Sequence, residues 1–90
     1  MNQRIVPIDP NARIVFEFGN YTLQYRRNSK RQISWRRAGY FPDLTSLCLE
    51  YLKNAPARAG NPIRSIQELI KVIRKAESNI INLFTNNKKL

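Results

Sequence analysis

Hydrophobic and polar side chains alternate along two segments in the first half of the chain, Tyr21–Arg27 and Gln32–Tyr40. Because successive side chains of a strand point to opposite faces, this pattern predicts two β-strands joined by the polar turn Asn28–Lys30. Arg13–Phe18 alternates in the same way, and the Gly19-Asn20 pair that follows is typical of a two-residue hairpin turn. The three segments predict a three-stranded antiparallel sheet in meander order.

The same alternation sorts the side chains onto two faces, which we call the apolar face and the polar face. The polar face is expected to stay open to solvent. Tyr40 lies an even number of residues after Arg36, so it is expected on the same face as that arginine. The apolar face is predicted to hold Ile14, Phe16, Phe18, Leu23, Tyr25, Ile33 and Trp35. The polar face is predicted to hold Arg13, Gln24, Arg26, Gln32 and Arg36.

The second half of the chain changes to a helical period. Asp43 can accept hydrogen bonds from the free amides of a first helical turn, so it is predicted to cap a helix that ends at Lys53-Asn54. Ser65 and Glu68 have the Ser-x-x-Glu spacing of a capping box ahead of a longer helix. Each helix has one apolar stripe, and together they are predicted to cover the apolar face. The fold class is therefore α+β, in the order β-β-β-α-α.

Domain organisation and compartment follow from composition. Pro7 and Pro10 remove backbone donors, so residues 1–10 are predicted to be an extended arm or an edge strand. Residues 11–85 are predicted to form a single α+β domain, and residues 86–90 a basic tail. The lone cysteine, Cys48, excludes an intramolecular disulfide and is expected in the core. We see no signal peptide or membrane-spanning run, and expect a cytoplasmic protein.

The charge of the chain is strongly one-sided. Sixteen Lys and Arg face six acids, which gives a net charge of +10. Charge of one sign repels itself in the folded state, and a polyanion such as nucleic acid relieves that repulsion. Six of the cations lie in the central hairpin without an intervening acid, and Arg13 and Tyr40 are expected nearby. The predicted binding residues are Arg13, Arg26, Arg27, Lys30, Arg31, Arg36, Arg37 and Tyr40.

The composition argues against catalysis. The chain has no histidine, which removes the commonest general base, the usual zinc ligand and the partner of most catalytic Ser and Cys residues. The spacing of the six acids does not predict that they come together as metal ligands. The three glycines are isolated, so they do not form a glycine-rich phosphate-binding loop. We therefore expect neither an enzyme nor a cofactor or metal.

Several short motifs resemble those of a group of small uncharacterised proteins encoded by phages and other mobile elements. The group is typified by a Tyr-x-Leu strand, a basic turn, a strand with Trp, an aromatic corner and a Ser-x-x-Glu-Leu helix. The resemblance covers roughly residues 8–82 and implies a phage or mobile-element origin, with the cytosol of the host cell as its compartment. The matching residues are Asn20-Tyr21-Thr22-Leu23-Gln24, Trp35, Gly39-Tyr40-Phe41 and Ser65-Ile66-Gln67-Glu68-Leu69-Ile70.

The leading functional hypothesis is an accessory protein that binds nucleic acid or a nucleoprotein complex through the basic hairpin. The alternative is an inhibitor of a host defence effector, such as a CRISPR nuclease, that acts by protein–protein contact. A third hypothesis is a homodimer formed through the apolar stripe of the second helix. No membrane partner is expected, because the basic second helix lacks an exposed Trp or Phe that would favour insertion.

Overall fold

The computed structural model of the chain describes residues 4–28, 32–60 and 62–86, without the side chains of Asn28 and Asn86. The chain divides into two compact units, residues 1–47 and residues 48–90. The described elements are β1 (Arg4–Asp9), β2 (Ala12–Glu17), β3 (Asn20–Asn28), β4 (Ile33–Phe41), α1 (Leu44–Asn54) and α2 (Ile66–Asn86).

The four strands form one antiparallel sheet in the order β1-β2-β3-β4. The α+β class and the meander order are as predicted, but the predicted number of three strands is wrong. The fourth strand, β1, pairs with β2 from Arg4 opposite Phe16 to Asp9 opposite Ala12, with an irregularity between Pro7 and Asp9. Proline is tolerated there because β1 is an edge strand, where a missing backbone donor costs least.

The turn between β2 and β3 lies one residue earlier than the predicted Gly19-Asn20 pair. Glu17 and Asn20 are opposite each other, so the two turn residues are Phe18 and Gly19. Both have positive φ, 52° and 78°, which is the conformation that a two-residue type I′ turn requires. Phe18 is therefore not on the apolar face, and its side chain is 72% exposed.

A bulge in β4 changes the predicted assignment of side chains to faces. Leu23 is opposite Gly39 and Gln24 is opposite Arg37, so Ala38 is an extra residue without a partner in the register. Residues directly opposite each other in an antiparallel pair share a face. An extra residue therefore shifts every side chain on one side of the bulge to the other face.

Three predicted face assignments are wrong for this reason. Trp35 is opposite Arg26 and Ile33 is opposite Asn28, so both lie on the polar face. Arg36 is opposite Tyr25 and lies on the apolar face. Gln32, which was predicted to lie on the polar face, precedes β4 and belongs to no strand.

The sheet is buried on both faces at its centre. Ile14, Leu23 and Tyr25 of the apolar face are buried, as predicted for a core, and so is Ala12. Val15 and Thr22, which are opposite each other on the polar face, are buried as well. The prediction of an open polar face is therefore wrong at the centre of the sheet, and the exposed side chains of that face include Ile5 on β1 and Arg37 and Tyr40 on β4.

The first helix begins where Asp43 was predicted to cap it. The amide of Ser46 donates a hydrogen bond of 2.7 Å to Oδ1 of Asp43. This bond satisfies one of the amides that a first helical turn leaves without an intrahelical partner. The same bond stabilises the ionised carboxylate, so the pKa of Asp43 is lowered from its usual value.

The capping box at the start of α2 is also present. Oγ of Ser65 accepts a hydrogen bond of 3.1 Å from the amide of Glu68. The carboxylate of Glu68 reaches back to the amide of Arg64, at 2.9 Å, rather than to that of Ser65. Two amides are thus satisfied as the motif predicts, with one partner shifted by a residue.

Within the second unit, the amide nitrogen of Asn79 on α2 donates a hydrogen bond of 3.0 Å to the hydroxyl oxygen of Tyr51 on α1. Cys48, Tyr51, Ala76 and Leu83 are buried, which confirms Cys48 as a core residue, and its burial raises the pKa of the thiol. The covering of the apolar face by the helices stays a prediction. None of the helices among the described residues is long and apolar enough to cross a bilayer.

Candidate nucleic-acid interface

The polar face holds an arginine whose guanidinium group is fixed from two directions. The guanidinium carbon of Arg13 lies 4.1 Å from the centre of the Trp35 ring. Its Nε donates a hydrogen bond of 2.7 Å to Oε1 of Gln24, the residue directly opposite on β3. A guanidinium group has five N–H donors, and this bond uses the one on Nε. The two terminal amino groups carry the other four donors, in a fixed orientation.

A second arginine of the polar face also stacks on an aromatic ring. The guanidinium carbon of Arg37 lies 4.7 Å from the centre of the Tyr40 ring. These residues are three apart, an odd separation that in a regular strand places side chains on opposite faces. The extra residue Ala38 lies between them and brings both onto one face, with Arg37 opposite Gln24 and Tyr40 opposite Thr22. The bulge therefore builds this pair.

The two pairs lie side by side across β2, β3 and β4. Arg13, Gln24 and Arg37 occupy one row across the three strands, because each is opposite the next in the register. Arg37 and Tyr40 are exposed, whereas Arg13 and Trp35 are half-buried. We call Arg13, Gln24, Trp35, Arg37 and Tyr40 the arginine–aromatic cluster.

Beyond the cluster, the β3–β4 hairpin extends past the end of β2. The pairing of β2 with β3 ends at Ala12 opposite Tyr25, whereas β3 and β4 continue to pair as far as Asn28 opposite Ile33. We call residues 26–28 and 33–35 the ribbon. Arg26 lies on its polar face, and Arg27, opposite Ser34, lies on the other. The ribbon therefore carries cations on both faces.

The structure thus divides the predicted binding residues into three groups. Arg13, Arg26, Arg37 and Tyr40 lie together on the polar face. Arg27 and Arg36 are exposed on the opposite face. Lys30 and Arg31 lie outside the described residues.

Two members of the cluster were missed by the sequence reasoning, Gln24 as a ligand of an arginine and Trp35 as a surface aromatic. Trp35 was assigned to the apolar face because its parity with Ile33 and its hydrophobicity both favour a core position. One signal was available for Trp35: it lies three residues before the Ala38-Gly39 pair, and a glycine inside a strand often marks a bulge. The pairing of Arg13 with Gln24 could also be read from the hairpin register, had the turn been placed at Phe18.

The chemistry of the cluster suits binding rather than bond breaking. Guanidinium groups donate paired hydrogen bonds to anionic oxygens, and exposed aromatic rings stack on bases. The sequence from residue 18 to residue 42 contains no acid, so all charged side chains of the hairpin itself are positive. In residues 4–28, 32–60 and 62–86, no three His, Cys, Asp or Glu side chains come together as metal ligands.

No protein-family model, curated protein or solved structure matches this chain. The phage or mobile-element origin implied by the resemblance in its motifs stays a prediction.

Proposed function

We propose that this protein binds nucleic acid, or a nucleoprotein complex, through the arginine–aromatic cluster and the adjoining ribbon. The observation that carries the proposal is the placement of two stacked arginines, Arg13 and Arg37, in one row of the polar face. About one significant cation–π pair is expected per 70–80 residues, so a single pair would need no functional explanation. A chain of 90 residues is expected to hold about one such pair, so the placement of both pairs in one row carries more weight than their number.

Stacking prepares each arginine for a phosphate. The ring restricts the guanidinium plane, so less conformational entropy is lost when its donors bind an anionic oxygen. For Arg13 the hydrogen bond to Gln24 adds a second restraint. A solvated arginine that only keeps a protein in solution has no need of such restraints.

The ribbon supplies a shape that fits a nucleic acid. A two-stranded antiparallel ribbon is narrow enough to enter the major groove of duplex DNA. Because Arg26 and Arg27 lie on opposite faces of the ribbon, a groove offers phosphates or base edges to both. A sheet that binds through one face has no use for cations on its other face. A ribbon that inserts into a groove can use the cations on both of its faces.

The proposal is tested by removing the two stacked arginines and measuring nucleic-acid affinity. We expect Arg13→Ala/Arg37→Ala to weaken binding to duplex DNA, single-stranded DNA or RNA by about tenfold or more at low salt. Each lost phosphate contact should also lower the slope of log affinity against log salt concentration by about 1. Fluorescence anisotropy at two salt concentrations measures both quantities.

The matched control is Arg58→Ala/Arg64→Ala. Each double variant removes two of the sixteen cations, but the control changes arginines of the second unit. Equal losses in both double variants would show that only net charge matters, and would contradict the proposal. Arg13→Lys/Arg37→Lys keeps the charge and removes the planar fork, so it should lose part of the affinity. Circular dichroism of each variant verifies its fold.

The second candidate is the inhibitor of a host defence effector, and one observation favours it. Ile33 is exposed on the polar face of the ribbon, next to Trp35. An apolar side chain beside arginine and aromatic residues is typical of the centre of a protein interface. A pull-down from bacterial lysate, with and without nuclease treatment, separates the two candidates. A protein partner that survives nuclease and is lost in Ile33→Asp, but not in Leu49→Asp, supports the inhibitor.

A further inference from the structure

The second helix has one broad apolar stripe whose two outer arcs are joined by the half-buried Leu69, Ile73 and Ile80, and only one of the two arcs is buried. Successive residues of a helix are about 100° apart around its axis. One arc of about 60° therefore holds Val72, Ala76, Asn79 and Leu83. These residues are buried or half-buried, and Asn79 makes the hydrogen bond to α1. The helix therefore already has its contact with the rest of the second unit through this arc.

The other arc is exposed and points in a different direction. Ile66, Ile70, Ile81 and Phe84 are all exposed, and Glu77 lies among them within about 60° of circumference. The centre of this arc is about 140° from the centre of the buried arc. Four large apolar side chains left exposed on one arc of a helix form a patch that indicates a further partner. We call this exposed arc the outer stripe.

The spacing along the outer stripe is self-complementary. Around a midpoint next to Lys75, Ile66 corresponds to Phe84, Ile70 to Ile81, and Arg74 to Glu77, to within about one residue or 1.5 Å of rise. A two-fold axis at that midpoint would bring together the same pairs in two antiparallel copies. Apolar residues would then face apolar residues, and the one acid of the stripe would lie beside an arginine of the other copy.

We propose that a second copy of this chain docks on the outer stripe, so that the two α2 helices pack antiparallel. In an isologous contact both Arg74–Glu77 pairs form, one at each side of the axis. The charge of α2 agrees with this occupant: it carries Lys71, Arg74 and Lys75 against Glu68 and Glu77. The helix thus contributes little to the net charge of +10, and two copies can approach here with little repulsion.

Phe84 is exposed on α2, so the expectation that this helix lacks an exposed Trp or Phe is wrong. The alternative occupants nevertheless fit the stripe less well. An anionic lipid surface or a nucleic acid would place negative charge against Glu77, in the middle of the apolar residues. A second copy instead supplies Arg74 at that position. The proposal is independent of the nucleic-acid site, which lies in the first unit.

The first test is the oligomeric state of a variant with one charge in the outer stripe. Ile81 and Leu49 have nearly equal exposure, 63% and 62%, but Leu49 lies on α1. We expect the parent chain and Leu49→Asp to sediment as dimers, and Ile81→Asp to dimerise about tenfold more weakly or worse. A parent chain that stays monomeric at about 0.5 mM would overturn the proposal. Equal effects of the two substitutions would overturn it as well.

The second test reports the antiparallel geometry itself. Arg74→Glu and Glu77→Arg should each weaken dimerisation, because each places like charges opposite each other. Mixing these two variants should restore a heterodimer, because every Glu then faces an Arg. A mixture that stays as weak as its components would rule out the antiparallel contact. Binding of the parent chain to phosphatidylserine vesicles, lost in Ile81→Asp, would show a lipid surface as the occupant instead.

Discussion

Phe18 adopts a backbone conformation that is unfavourable for its residue type. It occupies a turn position with φ of 52°, a region in which bulky side chains are rare and asparagine is favoured. Its ring is exposed, so no burial of the side chain in the chain itself offsets this conformational cost. The turn closes despite Phe18, because Gly19 accepts the second positive φ and the flanking strands pair on both sides.

We therefore expect Phe18→Asn to stabilise the protein by about 1 kcal/mol, since it creates the Asn-Gly dipeptide that type I′ turns favour. Urea unfolding followed by circular dichroism measures the free energy of unfolding. Phe18→Ala is the control, because it removes the ring without adding a residue that tolerates positive φ. If Phe18→Ala were stabilising to the same extent, the gain would come from the loss of the exposed ring and not from the turn.

Gly39 illustrates a different constraint at the residue scale. A Cβ atom at this position would lie 3.1 Å from the ring of Phe41, which is closer than an ordinary van der Waals contact. The ring of Phe41 thus occupies the space that a side chain at position 39 would need, next to the bulge at Ala38. β4 continues through Gly39 to Phe41.

At the scale of the element, α1 is coupled to pH through its cap. The hydrogen bond from the Ser46 amide lowers the pKa of the Asp43 carboxyl, so the folded chain holds this group ionised more strongly than the unfolded chain does. Because the pKa of Asp43 is lower in the folded chain than in the unfolded chain, its ionised carboxylate stabilises the fold at pH values above the unfolded pKa of about 3.9. This stabilisation is lost as the pH falls through the pKa of the folded chain. The cap therefore stabilises α1 more strongly at neutral pH than in acid.

We expect Asp43→Asn to lower the free energy of unfolding at neutral pH and to flatten its decrease between about pH 5 and pH 2. Asparagine still caps a helix, so the variant should stay folded. Glu50→Gln removes one acid from the same helix without touching the cap, and should keep the steeper pH dependence. Urea unfolding across this pH range decides between them; identical pH profiles for Asp43→Asn and the parent chain would contradict this role of the cap.

At the scale of the whole molecule, the two proposals predict bivalent binding. A dimer formed through α2 carries two ribbons, so a long nucleic acid can engage both and gain avidity. We expect Ile81→Asp to weaken binding to a duplex of about 40 base pairs more than binding to one of about 10 base pairs. Leu49→Asp should change neither. Equal affinity of Ile81→Asp and the parent chain for the long duplex would show that the two surfaces act separately.

The sequence alone was sufficient for the features that depend on neighbours along the chain. Alternation with period two predicted the strands and their meander, because it reflects which side of one strand each side chain takes. Asp43, Ser65 and Glu68 predicted both helix starts, because a cap satisfies amides within three or four residues. The acid-free group of cations could also be read directly, since it is a property of composition.

The tertiary structure decided the features that depend on pairing between strands. Ala38 looks like any strand residue until the register leaves it without a partner, yet it places Trp35 on the polar face and joins Arg37 to Tyr40. The turn at Phe18 and the fourth strand were settled in the same way, by which residues lie opposite each other. On α2, periodicity marks a broad apolar stripe, but only burial shows that one part of it remains exposed. Local patterns fix how a segment folds, whereas long-range contacts decide which of its faces are left for a partner.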